Sequence, residues 1–437
     1  MRDPERWTMR ADPDRLGPMM DSHTPFTRRR FLAATAATSM LPLRSRLRAA
    51  SGAGENEHFL YRLSPPDGPY IDSQRDHRAF AFQGGAILYS EDNGKSWARR
   101  TEFPDAANIL WSTFLKNGNI LFATRANLFL STDQLATYRE ITVKRGDGSD
   151  YRPHTPLDPN LPGWYFHSLD GVHTWEVDGK EILVWGNYCN VAGGAVPVNI
   201  YYSTDGGETV KLAYAFGRNP KFQQKGATPE QYIGDAENPL ICRHIHCVTY
   251  HPAEKAFYAC TGDIDRGHGH EVHWLRGTYD WAADAWDWKV VISVNSNSRY
   301  KSGGFNFVDG QMYWAADANG PKLPNQKHDR GIFRCEPGDI TDRSKHTRLF
   351  DAEFEMANML IQDQFMLASH CAPASTFKTG FAVSPDLGKT WAEYDLAEFG
   401  PRSPVRFHPR NAEGWLRVDL RTGWIDRAEV LFIKPKV

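Results

Sequence analysis

The chain has 437 residues, 51 Lys+Arg against 53 Asp+Glu for a formal net charge of −2, and 14 Trp, 17 Tyr and 24 Phe. That length allows one large domain or two medium ones, and the balanced charge gives no sign of the clustered basic excess that a nucleic-acid partner requires. Aromatic-rich, Gly-rich and poor in long helical patterns, the sequence points to an all-β fold.

The first element is a targeting segment. Thr27-Arg28-Arg29-Arg30-Phe31-Leu32 fits the twin-arginine pattern of bacterial export signals, Ser/Thr-Arg-Arg-x-Phe-Leu. The weakly apolar run 31–43 that follows is too short to span a bilayer, which takes ~20 apolar residues. Ala49-Ala50 offers a cleavage point, and such leaders are left out of fold reasoning. Residues 1–50 are therefore expected to be leader. Residues 51–437 are expected to be one periplasmic or secreted domain, monomeric and free of the membrane once the signal is gone, because no later segment is long and apolar enough to cross one.

Beyond the leader the sequence repeats. "SEDNGKSW" (90–97), "STDGGETV" (203–210) and "SPDLGKTW" (384–391) share Ser-x-Asp-x-Gly-x-Thr/Ser, and "STDQLATY" (131–138) is a worn copy with Leu135 in place of the Gly. Each follows an alternating strand: "AILY", "LFL", "VNIYY" or "TGFAV". The pattern suits a hairpin turn. Its Asp accepts hydrogen bonds from the turn's own backbone, its Gly supplies the positive φ, and a Trp or Tyr packs beneath. Asp92, Asp133, Asp205 and Asp386 are thus read as structural. Strand–turn–strand units continue between these motifs, as in "HIHCVTYHPAEKAFYACTGD" and "GGFNFVDGQMYWAADAN". Units of roughly 40–50 residues with about four strands each are the signature of propeller blades. They fall at about 69–103, 106–145, 164–216, 243–292, 303–350, 354–397 and 403–437, with 57–64 adding a strand to the last. The expectation is a seven-bladed β-propeller, with six blades as the alternative.

The six cysteines, Cys189, Cys242, Cys247, Cys260, Cys335 and Cys371, show no CxxC pair, so a zinc ribbon is not supported. One bridge among Cys242, Cys247 and Cys260 or a set of buried free thiols fits equally.

With these motifs the chain resembles the sialidase-like, Asp-box (BNR-repeat) propeller superfamily, and more narrowly its bacterial secreted glycosyl-hydrolase-like members. The resemblance implies sialidases, other glycosidases, polysaccharide lyases or non-catalytic binding proteins, so function must be argued from the site. Sialidases carry Arg-Ile-Pro in the first blade, three arginines for the substrate carboxylate, a Tyr/Glu nucleophile pair and an Asp acid. Here the first blade reads "SQRDHRAFAF", without Arg-Ile-Pro. Arg243, Arg299 and Arg406 are the arginines available for a carboxylate clamp.

Candidate site residues gather where blades begin and where second strands end. "RHIHCV" sets His244 and His246 two apart on one strand face. "YFHSLD" puts His167 at the start of the preceding blade, "VWGNYCN" puts Asn187 and Tyr188 at a strand exit, and "ASHCAP" puts His370 at another. One reading is β-elimination on a uronate-containing glycan, with His244, His246, His167 and Tyr188 as acid and base and Arg243 or Arg299 neutralising the carboxylate. A second makes His244 and His246 ligands of a divalent metal, zinc or calcium, with His370 or His167 as the third. A third makes them hydrogen-bonded structural residues. "TGDIDRGHGHEVHW" (261–274) adds Asp263, Asp265, His268, His270, Glu271 and His273 as further ligands, a glycosidase carboxylate pair or a polar loop. Trp164, Trp274 and Trp314 are candidate sugar-stacking platforms or core residues. The function expected is a carbohydrate-active enzyme on an acidic polysaccharide or oligosaccharide, a lyase ahead of a sialidase-like glycoside hydrolase. A glycan- or protein-binding propeller is the non-catalytic alternative.

Overall fold

Strands dominate because apolar and aromatic residues alternate over short runs, closed by Gly, Asn and Asp turns. The computed structural model describes residues 45–46, 52–65, 67–151, 165–188, 197–217, 238–262, 272–294, 298–318, 329–371, 380–396, 403–421 and 427–436. The twin-arginine segment, Trp164, Cys189 and the ligand-rich run 263–271 lie outside them. Among the described residues there is no α-helix, and the strands form seven sheets of four or five strands. Each of the first six sheets is built on a meander of four consecutive antiparallel strands, to which Val143–Lys144 adds a parallel outer strand in the third sheet and Ser45–Arg46 one in the sixth.

Numbered in chain order, blades 1 to 7 begin with inner strands Tyr70–Arg75, Trp111–Phe114, His173–Val177, His244–His251, Ser302–Val308, Glu355–Gln362 and Ser403–His408. Blade 7 takes its outer strand from the start of the fold: Phe59–Leu63 pairs antiparallel with Arg427–Pro435, from Phe59 opposite Pro435 to Leu63 opposite Leu431. This closes the ring as the sequence predicts, with seven blades rather than six. All seven lie within one unit, Pro42–Val437.

The apolar core sits between blades. Phe80, Ile87 and Tyr89 of blade 1 pack on Phe114, Ile120 and Phe122 of blade 2. Tyr258 and Trp274 of blade 4 pack likewise on Phe305 and Trp314 of blade 5. Ile71 and Leu88 of blade 1 meet Val430 and Phe432 of blade 7 across the closure. Cys242, Cys247, Cys260 and Cys335 are buried free thiols within this packing.

The meander sorts connections onto two faces. Links from the third to the fourth strand fall on the turn face, where the inner strands end. Links from second to third strand, and from blade to blade, fall on the loop face, where the inner strands begin. The four Ser-x-Asp motifs occupy the turn face. Asp386 Oδ1 accepts from the backbone N–H of Thr390 at 2.8 Å and Ser384 Oγ from that of Gly388 at 2.7 Å. Equivalent pairs recur at Asp92 (Ser96 N, 2.9 Å), Asp133 (Thr137 N, 2.9 Å) and Asp205 (Thr209 N, 2.9 Å). Hydrogen bonds from Ser96 hold the Asp92 carboxyl well below its usual range, led by the Ser96 hydroxyl. In the worn copy Leu135 adopts φ +69°, where its siblings have Gly94, Gly207 and Gly388 at +80°, +83° and +87°. The left-handed conformation costs Leu roughly 1–2 kcal/mol, and its fully buried side chain offsets that cost by joining the core between blades 1 and 2.

Candidate active site

The inner strands carry a device invisible in the repeat. In five blades the pairing between first and second strands skips a residue near the loop face: Asp72, His246, Gly303, Ala357 and Val405. Such bulges bend a strand and re-aim a side chain. In blade 4 the skipped residue is His246. Ile245 faces Thr261, Cys247 faces Cys260, and His246 is left free of the ladder. Its ring lies over Gly262, where a Cβ would come within 2.6 Å of Nε2, so only glycine fits there.

His244, at the start of the same strand, meets His246 with 3.1 Å between their Nε2 atoms. His246 Nδ1 lies 3.1 Å from the Ser302 carbonyl of blade 5. A carbonyl only accepts, so His246 Nδ1 carries a proton. In the neutral pair, then, His244 Nε2–H donates to His246 Nε2, and the basic nitrogen of His244 is Nδ1. Tyr188 lies flat on His244, with ring centroids 3.9 Å apart and planes at 17°. It is held there from blade 3. The Ile245 N–H donates to the Asn187 carbonyl at 3.0 Å, the Tyr188 N–H to the His167 carbonyl at 2.7 Å, and His167 Nδ1 to the Tyr188 carbonyl at 2.8 Å. Gly186 permits this approach, since a Cβ there would strike Ile245 at 2.5 Å. The four side chains His167, Tyr188, His244 and His246 thus converge from two blades, all buried. Tyr188 and Gly262 are the last described residues before segments 189–196 and 263–271. Arg243, half-buried, immediately precedes His244.

The remaining candidates are placed elsewhere. Asn187 is not available to a substrate: its amide is spent on its own loop, donating to the Pro197 carbonyl at 2.9 Å and accepting from Asn199 N at 2.6 Å. Arg299 is paired with Asp329, Nη2 to Oδ1 at 3.0 Å and Nε to Oδ1 at 3.1 Å, and so is committed within blade 5. Burial alone would raise the Asp329 pKa, but Arg299 more than offsets it and holds it low. Arg406 is no carboxylate clamp either. It donates to the carbonyls of Leu169 and Leu110, both at 2.8 Å, and of Ser168, so it ties blade 7 to the approaches of blades 2 and 3.

Trp274 and Trp314 are fully buried between blades 4 and 5, edge to face at 5.6 Å, their indole N–H groups donating to the Tyr300 and Arg299 carbonyls. No sugar ring reaches them, which corrects the platform reading. His370 faces Glu393 within blade 6, Nε2 to Oε1 at 3.2 Å. Among the described residues no three His, Cys, Asp or Glu side chains converge as a metal requires, so the set His244, His246 and His370 is not assembled. His273 is buried with Nδ1 2.9 Å from Ser293 Oγ.

Sequence reasoning missed a second polar cluster, within the channel. Asp72, Asp170, His173, Arg406 and His408 line a cavity of about 480 Å³. Burial pushes the Asp170 carboxyl up to about 7, with Arg406 pulling the other way. Burial also holds His173 below its usual range. "LRVDLR" carried the signal: charges at every second residue of an apolar strand put Arg417, Asp419 and Arg421 on one face, and all three are buried.

Neither the protein-family models nor the curated proteins match the chain. Solved structures similar to it are β-propellers or carry enzyme names. They include YCF48 bound to D1 peptide (12% identity, 88% of this chain and 99% of that one, TM-score 0.45). Virginiamycin B lyase from Staphylococcus aureus follows at 10% identity, 86% and 99% coverage and TM-score 0.44. The α-L-arabinanase of Penicillium chrysogenum complexed with arabinobiose is similar at 12% identity, 75% and 93% coverage and TM-score 0.42. These are likenesses of fold. The class defined by the strands themselves is a seven-bladed β-propeller.

Proposed function

We propose that this propeller is a carbohydrate-active enzyme with its reaction centre at the loop face, on His244, His246 and Tyr188, cleaving an acidic glycan by β-elimination. The observation that carries the reading is the stack of Tyr188 on His244 together with the Nε2–Nε2 contact to His246. It supplies a base of fixed tautomer, a second imidazole to share the charge, and an aromatic face against the cation that forms. Arg243, whose buried Nε has no hydrogen-bond partner among the described residues, is the arginine left to neutralise the uronate carboxylate. In the reaction His244 Nδ1 takes the C5 proton, and the C–H electrons become the C4–C5 double bond. The C4–O bond breaks, and the leaving oxygen takes a proton from Tyr188.

A hydrolytic reading has one observation in its favour: the Asp170 carboxyl, raised to about 7, has the character of a general acid. A panel of uronate-containing polysaccharides, followed by ultraviolet absorbance of the unsaturated product and by reducing ends, separates the two. Both signals together are the expected result. Reducing ends without absorbance mean hydrolysis, and neither signal across the panel means a binding protein. The enzyme acts after twin-arginine export. Changing Arg28 and Arg29 to Lys is expected to hold the precursor in the cytoplasm, and normal export of that variant would contradict this.

A further inference from the structure

The channel cavity is built differently from the His244–His246 cluster and stands independently of the β-elimination proposed there. Its volume of about 480 Å³ falls within the ~300–1,000 Å³ of small-molecule sites. It is walled by inner-strand residues from Asp72 and Gly304 to Tyr250, Phe307 and His408, together with Asp170, Gly171 and Val172 ahead of the blade 3 strand. His408 Nε2 lies 3.1 Å from Asp419 Oδ2, and Arg417 lies 3.5 Å from the other oxygen of that buried carboxylate. A carboxylate only accepts, so Nε2 carries the proton and Nδ1 is an acceptor. Burial, with Arg417 adding to it, pushes the His408 pKa down to about 4, which keeps the ring neutral near pH 7. Asp170 on the same wall is partly protonated there and can donate. Trp175, Tyr250 and Phe307 supply aromatic surface. The two arginines of the wall are committed: Arg75 to Glu181 at 2.7 Å and Arg406 to three carbonyls. Donors, acceptors and aromatic faces without an uncommitted cation are what a neutral sugar needs and an anion does not find.

We propose that this cavity is a second ligand site, taking a neutral polyhydroxylated ring of mono- or disaccharide size, with His408 Nδ1 accepting from one of its hydroxyls. The test is saturation-transfer NMR and calorimetry on the full chain with glucose, xylose, arabinose and maltose, and with glucuronate as the acidic probe. At least one neutral sugar should bind saturably, and glucuronate at least about tenfold more weakly, a difference of ~1.4 kcal/mol. His408→Leu should abolish binding. Thr249→Phe should do the same by filling the cavity from a half-buried position away from the Asp419–Arg417 pair, so the test stands even if His408→Leu fails to fold. No binding of any neutral probe at millimolar concentration would overturn the proposal. So would binding that survives Thr249→Phe, or glucuronate binding as tightly as the neutral sugars. Binding lost in His244→Ala but kept in Thr249→Phe would assign the sugar to the loop face and likewise overturn it.

Discussion

The turn face and the loop face are made from the same kinds of polar side chain, used in opposite ways. In the Ser-x-Asp turns the hydrogen bonds of the Ser and Asp side chains are local: Ser384 to Asp386 spans two residues, and Thr390 to Asp386 spans four. At the loop face the contacts cross blades: His246 reaches Ser302 over a separation of 56 residues, and Tyr188 of blade 3 covers His244 of blade 4. The turns recur in four blades and the histidine pair occurs at one. Repetition therefore marks what folds the ring. The position that departs from the repeat, a bulge residue that is His in blade 4 and Asp in blade 1, marks where the ring has been specialised.

The comparison is sharpened most strongly by removing a residue that resembles a site residue and belongs to the scaffold. Trp274→Ala is expected to lower stability by roughly 3–5 kcal/mol, the scale for deleting a buried indole, as read from denaturant unfolding. A fold left intact with weakened glycan binding would return Trp274 to the loop-face site. A smaller effect is expected at the turns. Asp386→Ala should cost about 1–2 kcal/mol, because two backbone N–H groups and the Thr390 hydroxyl lose their acceptor. An unchanged midpoint would show that the turn holds without its carboxylate.

A further effect lies in pH dependence, where two groups of the channel cluster oppose each other in the wild type. Asp170 has a folded pKa of about 7, above its ordinary value, so the folded chain binds the extra proton. Its contribution is complete below about pH 4 and is lost as pH rises through 7. His408, lowered to about 4, has the opposite sign: the unfolded chain binds more protons between about 4 and 6.5, so its contribution grows as pH rises through that window. Asp170→Asn should therefore gain stability relative to the wild type progressively from pH 4 to 7 in thermal melts. A difference independent of pH would contradict a carboxyl that holds its proton in the fold.

The same division explains what was legible in the sequence. The blades, the Ser-x-Asp turns and the closing strand 59–63 are patterns of neighbouring residues, and alternation and turn chemistry expose those. The convergence of His167, Tyr188, His244 and His246 was legible because His167, His244 and His246 fall where blades begin and Tyr188 where a second strand ends, all on the loop face. The use made of Asn187, Arg299 and Arg406 was not, because their partners Pro197, Asp329 and the Leu110 and Leu169 carbonyls are fixed by loop paths and blade contacts rather than by spacing. The bulge at His246 leaves no local mark, although Gly262 opposite it is its trace. Trp274 and Trp314 misled because an aromatic on an alternating strand looks the same whether it faces a neighbouring blade or a ligand.

The most direct test of the account pairs one variant from each face on a uronate glycan that the wild type cleaves. His244→Ala should lose about a hundredfold or more in turnover, the scale of a lost general base, with little change in melting temperature. Asp386→Ala should lose melting temperature and keep its turnover below the melt. Full turnover in His244→Ala with a shifted melt would contradict the account and make the histidine pair part of the scaffold.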